Sequence, residues 1–479
     1  MPILVPILVA ALFSESFQAF AVGNYGVTYF ELCMIAFILL VIKQVAWDGV
    51  KLRLSLNPVW LFFLLLVFSS FLSGLRPLFV GNSEMIVQYF KTLLHFLFLT
   101  TFAFSAGVFP MKTKIWESGI KIWIIVSIFI NIFGIYQIIA RALDLPFAWL
   151  ESSNVSLLSR GFLEESEFKQ LSLRYENFFR ATSFFPEPSA LASFNVYIMI
   201  FIIVPFVQKT GRFIKSRFLT IFAFIWGLLG LFLAFSLTGM VGIALVISAI
   251  FLFERVKNKL RTMLIMFASG AILIIGADIF VKAYSSQSVL ELFGDRLEGI
   301  LYFSTGKKSV TVGESYGMRR DYIGESMKIW MNHPVLGTGI GLTSYEKYSK
   351  IGFPMYSSLA ALSEMGLLGF LAFIGFFISL FAITIRYIIN HSNYKNYPIE
   401  QRRMTGILFY VMLLQFVVNF ISGNNLVNTG LWAPMAIVLA IINKTSIDEG
   451  RQFLTISIFK TPLRLQLATV MSFLKKTGS

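Results

Sequence analysis

Twelve apolar runs divide the chain, and runs of that kind leave a backbone few options. In hydrocarbon the peptide N–H and C=O groups find no water, so a crossing segment must satisfy them internally, which a helix of roughly 20 residues does over about 30 Å. The runs fall at 2–21, 27–43, 58–75, 86–108, 122–140, 189–207, 218–235, 240–253, 262–283, 358–385, 406–421 and 431–443. Only 14% of residues are charged and mean hydropathy is +0.76, whereas water-soluble domains carry about 25% charge. A soluble globule is thereby excluded. The predicted fold is an all-α polytopic membrane protein of about 12 transmembrane helices.

The formal net charge of +15 fits either a polyanionic partner or a membrane topology, and the placement of the charges decides. The intervals after the second, fourth, sixth, eighth and tenth runs, with six residues after Ile442, hold 24 of the 40 basic residues. The four short intervals of the other parity hold only Arg76. By the positive-inside rule both termini are cytoplasmic, and the two long loops, 142–188 and 284–357, are extracytoplasmic. No nucleic-acid partner is needed to explain the charge. The transmembrane bundle then occupies 1–443 with its two loops, and 444–479 is a cytoplasmic basic tail. That tail mixes Arg451, Lys460 and Arg464 with Phe453, Ile456 and Phe459, a pattern shared by an interfacial helix and a loosely ordered segment. The first run ends in Ala19-Phe20-Ala21, as a signal-peptide cleavage site does, but lacks a basic start, so a retained helix is expected. Cys33 is the only cysteine, which excludes an intrachain disulfide.

The longest polar interval holds the run from Gly317 to Gly341, GMRRDYIGESMKIWMNHPVLGTGIG. Ile323, Met327 and Trp330 recur at helical spacing, so 318–332 reads as an amphipathic helix that Pro334 stops. Arg319 and Arg320 then stand at its start, where a cation is electrostatically disfavoured unless an anion or an acidic neighbour such as Asp321 or Glu325 relieves it. A guanidinium matches phosphate oxygens bidentately. Gly337, Gly339 and Gly341 follow without a preceding strand, and loop flexibility is the expected reading.

The first long loop ends in RATSFFPEPSALASF, in which Pro186 and Pro188 bracket Glu187 and favour helix initiation. Arg180 and Glu187 therefore stand at the outer boundary of a span, as a site or as an interfacial salt pair. Ser236-Leu237-Thr238-Gly239 is a tight turn that puts two hydroxyls on the outer side and reads on its own as a helix cap. Charged residues deep in spans are costly. Asp278, Glu364, Asn419, Asn424 and Asn425 all fall toward outer ends, whereas Lys91 and His95 lie inside a span, four apart, as an interhelical polar pair or a proton relay. The three histidines are too scattered for a zinc site.

These segments, in this order, together with SSLAALSEMGLLGF at 357–370, resemble the O-antigen polymerase and ligase superfamily; the motifs cover about 180–370 and the rest matches in hydropathy alone. The resemblance implies a GT-C-like glycosyltransferase acting on undecaprenyl-diphosphate-linked oligosaccharides at the periplasmic face of the bacterial inner membrane, with no cofactor and no metal. It implies membrane lipids and a chain-length regulator as further partners. It maps the loop arginines onto Arg180 and Arg319, with Arg320 the neighbouring alternative. Glu187 is the candidate base and Glu364 its alternative, and Thr238, Glu364 and Asn424 are candidate substrate contacts. Many relatives carry a His-Asn pair before the late span, where this chain has Met355-Tyr356. That difference favours a polymerase over a ligase. A lipid-linked oligosaccharide flippase is the other class with this hydropathy, but transporters gather polar groups near the midplane.

Overall fold

The computed structural model describes residues 1–22, 25–151, 170, 174–175, 178–254, 313–346, 349, 351, 354, 356–390, 397–423 and 425–457, with isolated positions between 271 and 291. Its helices are α1 (Leu4–Ala10), α2 (Tyr29–Ala46), α3 (Pro58–Leu72), α4 (Leu75–Val80), α5 (Ser83–Val108), α6 (Thr113–Leu143), α7 (Pro188–Val207), α8 (Arg217–Leu233), α9 (Leu237–Phe253), α10 (Gly313–Asn332), α11 (Ser357–Ile389), α12 (Ile399–Val417) and α13 (Thr429–Asp448). Among the described residues eight helices are long and apolar enough to cross a membrane, and Leu4–Ser14, α8 and α9 are shorter apolar helices. Together they take up every predicted span except 262–283, which lies largely outside the described residues. Large apolar side chains stand exposed along the helices, among them Leu64 and Phe68 on α3, Leu94 on α5 and Ile378 on α11. Large apolar side chains exposed on helices of this length and hydropathy belong against lipid.

The first predicted span is not one helix. α1 passes into a 3-10 turn at Ala11–Ser16 and then into strand β1 (Gln18–Val22), which pairs antiparallel with β2 (Tyr25–Thr28). Ser14, Glu15 and Ser16 interrupt the apolar run, and Ser14 bonds back to the Ala11 carbonyl, so the helix stops there. Thr28 then starts α2 through a capping box with Glu31.

The end of α6, the start of α7 and the end of α8 meet at one end of the bundle, here called the loop end, and β3, the end of α5 and the later part of α13 meet at the other, here called the basic end. Close packing within the bundle uses small and amide side chains. Asn131 on α6 and Asn195 on α7, both fully buried, exchange hydrogen bonds of 2.8 Å, and a Cβ on Gly230 of α8 would fall 1.8 Å from the Asn131 Oδ1. Such amide pairs hold apolar helices together where hydrophobicity alone gives no preference.

The basic end is described as far as residue 457. α13 continues to Asp448, and 453–456 forms strand β4 (Phe453–Ile456) antiparallel to β3 (Leu52–Ser55); 458–479, which holds most of the tail read as an interfacial helix or a loosely ordered segment, lies outside the described residues. Asn443 explains the docking, since its carbonyl accepts from Ser55 N at 2.7 Å and its amide donates to Arg53 O and Gly107 O. Nearby, buried Glu117 receives Arg403 at 2.8 Å and Lys121 at 3.0 Å. Glu117→Ala strands the buried Arg403 guanidinium, and a loss of about 3 kcal/mol is expected. A lowered thermal midpoint in detergent checks this.

Candidate active site at the loop end

The chain leaves its first long loop through Arg180-Ala181-Thr182-Ser183, and this turn is heavily tied down. Ala181 N–H donates to Leu233 O at 3.0 Å, which joins it to the end of α8 and so to the S-L-T-G turn. Gly239 of that turn lies so close to α7 that a Cβ there would sit 2.7 Å from the Ala192 Cβ. Two of the recognised motifs thus meet. Each turn carries a buried non-glycine residue in the left-handed region, Ser183 at φ 53° and Phe235 at φ 49°. Such residues cost roughly 1–3 kcal/mol and persist only where the surroundings over-determine them.

The over-determination at Ser183 is visible. Its hydroxyl donates to Ile130 O at 2.6 Å, and buried Gln170 donates to the carbonyls of Ser183 and Phe185. Below the turn lies Arg141, in the last turn of α6 and 7% exposed. Its Nε donates to Ala148 O at 2.8 Å, its Nη1 to Arg180 O at 2.7 Å, and its Nη2 to Thr182 Oγ1 at 2.6 Å and Gln170 Oε1 at 3.0 Å. Every one of these acceptors is neutral.

Arg180 itself is buried, with its carbonyl held by Arg141. Glu187 occupies the N-cap position of α7 in an extended conformation, half-buried, and its carboxylate accepts the Ser189 hydroxyl. Ser236 holds the N-cap position of α9, where the cap reading of that turn places it, but its side chain makes no capping hydrogen bond. Thr238 is buried in the first turn of α9.

In the second loop α10 starts at Gly313, not near 318. Arg319 and Arg320 therefore lie about two turns inside it, beyond the reach of the N-terminal dipole, so the electrostatic argument for an anion at a helix start no longer applies to them. Arg320 is exposed, and the Arg319 side chain lies outside the described residues.

The glycine turn after Pro334 is not flexible. Gly337, Gly339 and Gly341 all have positive φ, and Thr338, Ile340, Leu342 and Thr343 are completely buried. The turn is stitched into a break in α11 at Gly366 (φ 69°, ψ −166°). Thr338 N donates to Ser363 O, Gly339 N to Glu364 O, and Leu367 N to Pro334 O, at 3.0, 2.9 and 2.8 Å. Buried Glu364 accepts from Thr343 Oγ1 at 2.8 Å, with the backbone of Gly341 and Thr343 bonding it as well. Arg76 clips the same loop from α4, pairing with Glu346 at 2.6 Å and donating to Thr338 O, and His333 lies 3.3 Å from the other Glu346 oxygen.

A chain of buried polar side chains runs between the two halves. Tyr197 of α7 accepts from Gln415 of α12, Asn419 donates to Gln415 Oε1 at 2.7 Å, and Ser357 at the start of α11 donates to Asn419 Oδ1 at 2.8 Å. Asn419 stands in a π-helical turn, Val418–Ser422, a rare form that appears often at functional sites. Asn424, just beyond, lies outside the described residues. His95, expected as half of a pair with Lys91, reaches across to Glu31 of α2 at 3.0 Å, an interhelical polar pair with a different partner.

The arrangement thus brings Arg180, Glu187 and Thr238 to one pair of turns and Glu364 to the other loop. Arg141, Gln170 and the Arg76–Glu346–His333 cluster went unnoticed in the sequence. An arginine one residue past a span reads as an interfacial snorkeller, and only its loop partners distinguish it. No protein-family model matches the chain, and no curated protein does.

Proposed function

We propose that the protein is a GT-C-like polymerase of lipid-linked oligosaccharide repeat units in the bacterial plasma membrane, with its termini cytoplasmic and its loop end on the outer face. The growing glycan is transferred from undecaprenyl diphosphate to a hydroxyl of the next lipid-linked unit. The observation that carries this reading is the meeting of the R-A-T-S and S-L-T-G turns, each holding a residue in a strained conformation, with the first turn anchored on the buried Arg141 guanidinium. A turn fixed this rigidly suits a cation, Arg180, preorganised for an anion that develops during reaction.

The acceptor oxygen attacks the anomeric carbon, the bond from that carbon to the diphosphate oxygen breaks, and its electron pair leaves with the diphosphate. Arg180, Arg319 and Arg320 stabilise that charge. The acceptor proton passes to a carboxylate. Glu187 suits this role better than Glu364, because it is half-buried at a helix start whereas Glu364 is 3% exposed and spends its oxygens on the glycine loop. Thr238 and Asn424 remain candidate sugar contacts. Glu187→Gln is expected to lower the turnover rate by about 10²-fold or more with the donor KM little changed; unchanged turnover would remove Glu187 from the mechanism.

One observation favours a transporter, since discontinuous helices such as α11 build ion and substrate sites in that class. Here the backbone groups freed by the break are bonded by the protein's own loop at Pro334, Thr338 and Gly339. That weighs toward the enzyme.

A further inference from the structure

We propose that Arg141 is a positioning residue that holds Arg180 in register for the lipid diphosphate; this rests on the reading of Arg180 as a diphosphate contact. The guanidinium closes the base of the first long loop. Its Nε holds Ala148 O where the chain enters the loop, and its Nη1 holds Arg180 O where the chain leaves it. Trp149 lies over the guanidinium at 4.1 Å and meets Phe179 edge-on at 5.3 Å, so the same two ends are also closed by a ring contact. Whatever the intervening residues do, the backbone at Arg180 is pinned to α6.

The pin requires a fork. Ala148 O, Arg180 O, Thr182 Oγ1 and Gln170 Oε1 are distributed over three nitrogens of one planar group. A lysine ammonium keeps the charge but is a single point that cannot reach the acceptors spread around the edge of the guanidinium plane. Gln137 completes the arrangement by accepting from Thr182 Oγ1 at 3.1 Å and donating to Gln170 Oε1 at 3.1 Å, which orients both partners of Nη2. A guanidinium whose acceptors are all neutral gains little stability from charge pairing. What it provides is a fixed geometry at the one turn that carries Arg180.

The test is binding of undecaprenyl diphosphate to the full chain in nanodiscs, a readout that survives loss of turnover. Arg180→Ala, Arg141→Gln and Arg141→Lys are each expected to weaken binding about tenfold or more, the equivalent of one charge-assisted hydrogen bond. The Arg141→Gln/Arg180→Ala double variant is expected to bind no more weakly than Arg180→Ala alone, because Arg141 acts through Arg180. Additive losses in the double variant, or wild-type binding by Arg141→Lys, would overturn the positioning role while leaving Arg180 in place. Wild-type binding by Arg180→Ala would overturn the underlying reading instead. Should both Arg141 variants fail to fold, Thr182→Val removes one partner of the fork and leaves the cation; it is expected to weaken binding and to speed amide exchange at Ala181, and no change in either would also overturn the proposal.

Discussion

Gly366→Ala is expected to leave little or no folded protein. The residue sits at φ 69° and ψ −166°, a region essentially closed to any residue with a side chain, and an added Cβ would fall 2.1 Å from Val335 O and 2.7 Å from Gly337 N. The turn cannot retreat cheaply. Gly337 is itself pressed on α11, where its own Cβ would lie 2.3 Å from the Glu364 carbonyl carbon, and three backbone hydrogen bonds close the seam. Backbone strain of about 1–3 kcal/mol, together with about 1–3 kcal/mol for each buried group left unbonded, reaches the order of 5 kcal/mol. That is comparable with the whole stability of many proteins. The yield of monodisperse protein and its thermal midpoint report the loss. Gly324→Ala is the matched control: that glycine lies exposed on α10 with nothing within 4 Å of an added Cβ, and its replacement should be neutral or stabilising by up to about 1 kcal/mol. A wild-type midpoint for Gly366→Ala would contradict the seam.

Arg180→Ala is expected to abolish polymer while the protein still accumulates in the membrane. The turn that carries Arg180 is held through main-chain atoms and neighbours, by Arg141 on its carbonyl and Leu233 on the next N–H, so truncating the side chain leaves the anchor standing. Removing one preorganised donor from a developing anion costs about 2.7–4 kcal/mol, or 10²–10³ in rate. A polymerase slowed that far makes single units in place of long chains. Arg180→Lys retains a charge without the fork and should recover only part of the activity. Normal chain length with Arg180→Ala would remove this residue from the mechanism.

Much of the fold was legible because hydropathy speaks directly to it: eleven of the apolar runs correspond to apolar helices. The misreadings share a cause. Segment 2–21 is apolar on average, yet Ser14 and Ser16 turn it into a short helix and a strand, and an average hides that. Gly337, Gly339 and Gly341 looked like slack because one sequence does not reveal what a missing Cβ makes room for; the answer lies on α11 for Gly337 and on Thr92 of α5 for Gly341. Gly366 was equally silent, since glycine is common in membrane helices without breaking them. Arg319 and Arg320 were assigned to a helix start from periodicity that began at Ile323, but 313–317 lacks apolar spacing and still joins the helix. Among the candidate site residues, Arg180, Glu187 and Thr238 were legible from their motifs. The network that holds them was not, because Arg141 and Gln170 belong to no motif and come together only through the fold.

The most direct test of the account is to reconstitute the purified protein in liposomes and supply synthetic undecaprenyl-diphosphate-linked repeat units, with and without lipid A core. Polymerisation predicts a ladder of products spaced by one repeat unit, independent of lipid A core and absent with Arg180→Ala. A single transfer that requires lipid A core would identify a ligase, and movement of intact lipid-linked units across the bilayer with no new glycosidic bond would identify a transporter; either result would contradict the polymerase reading.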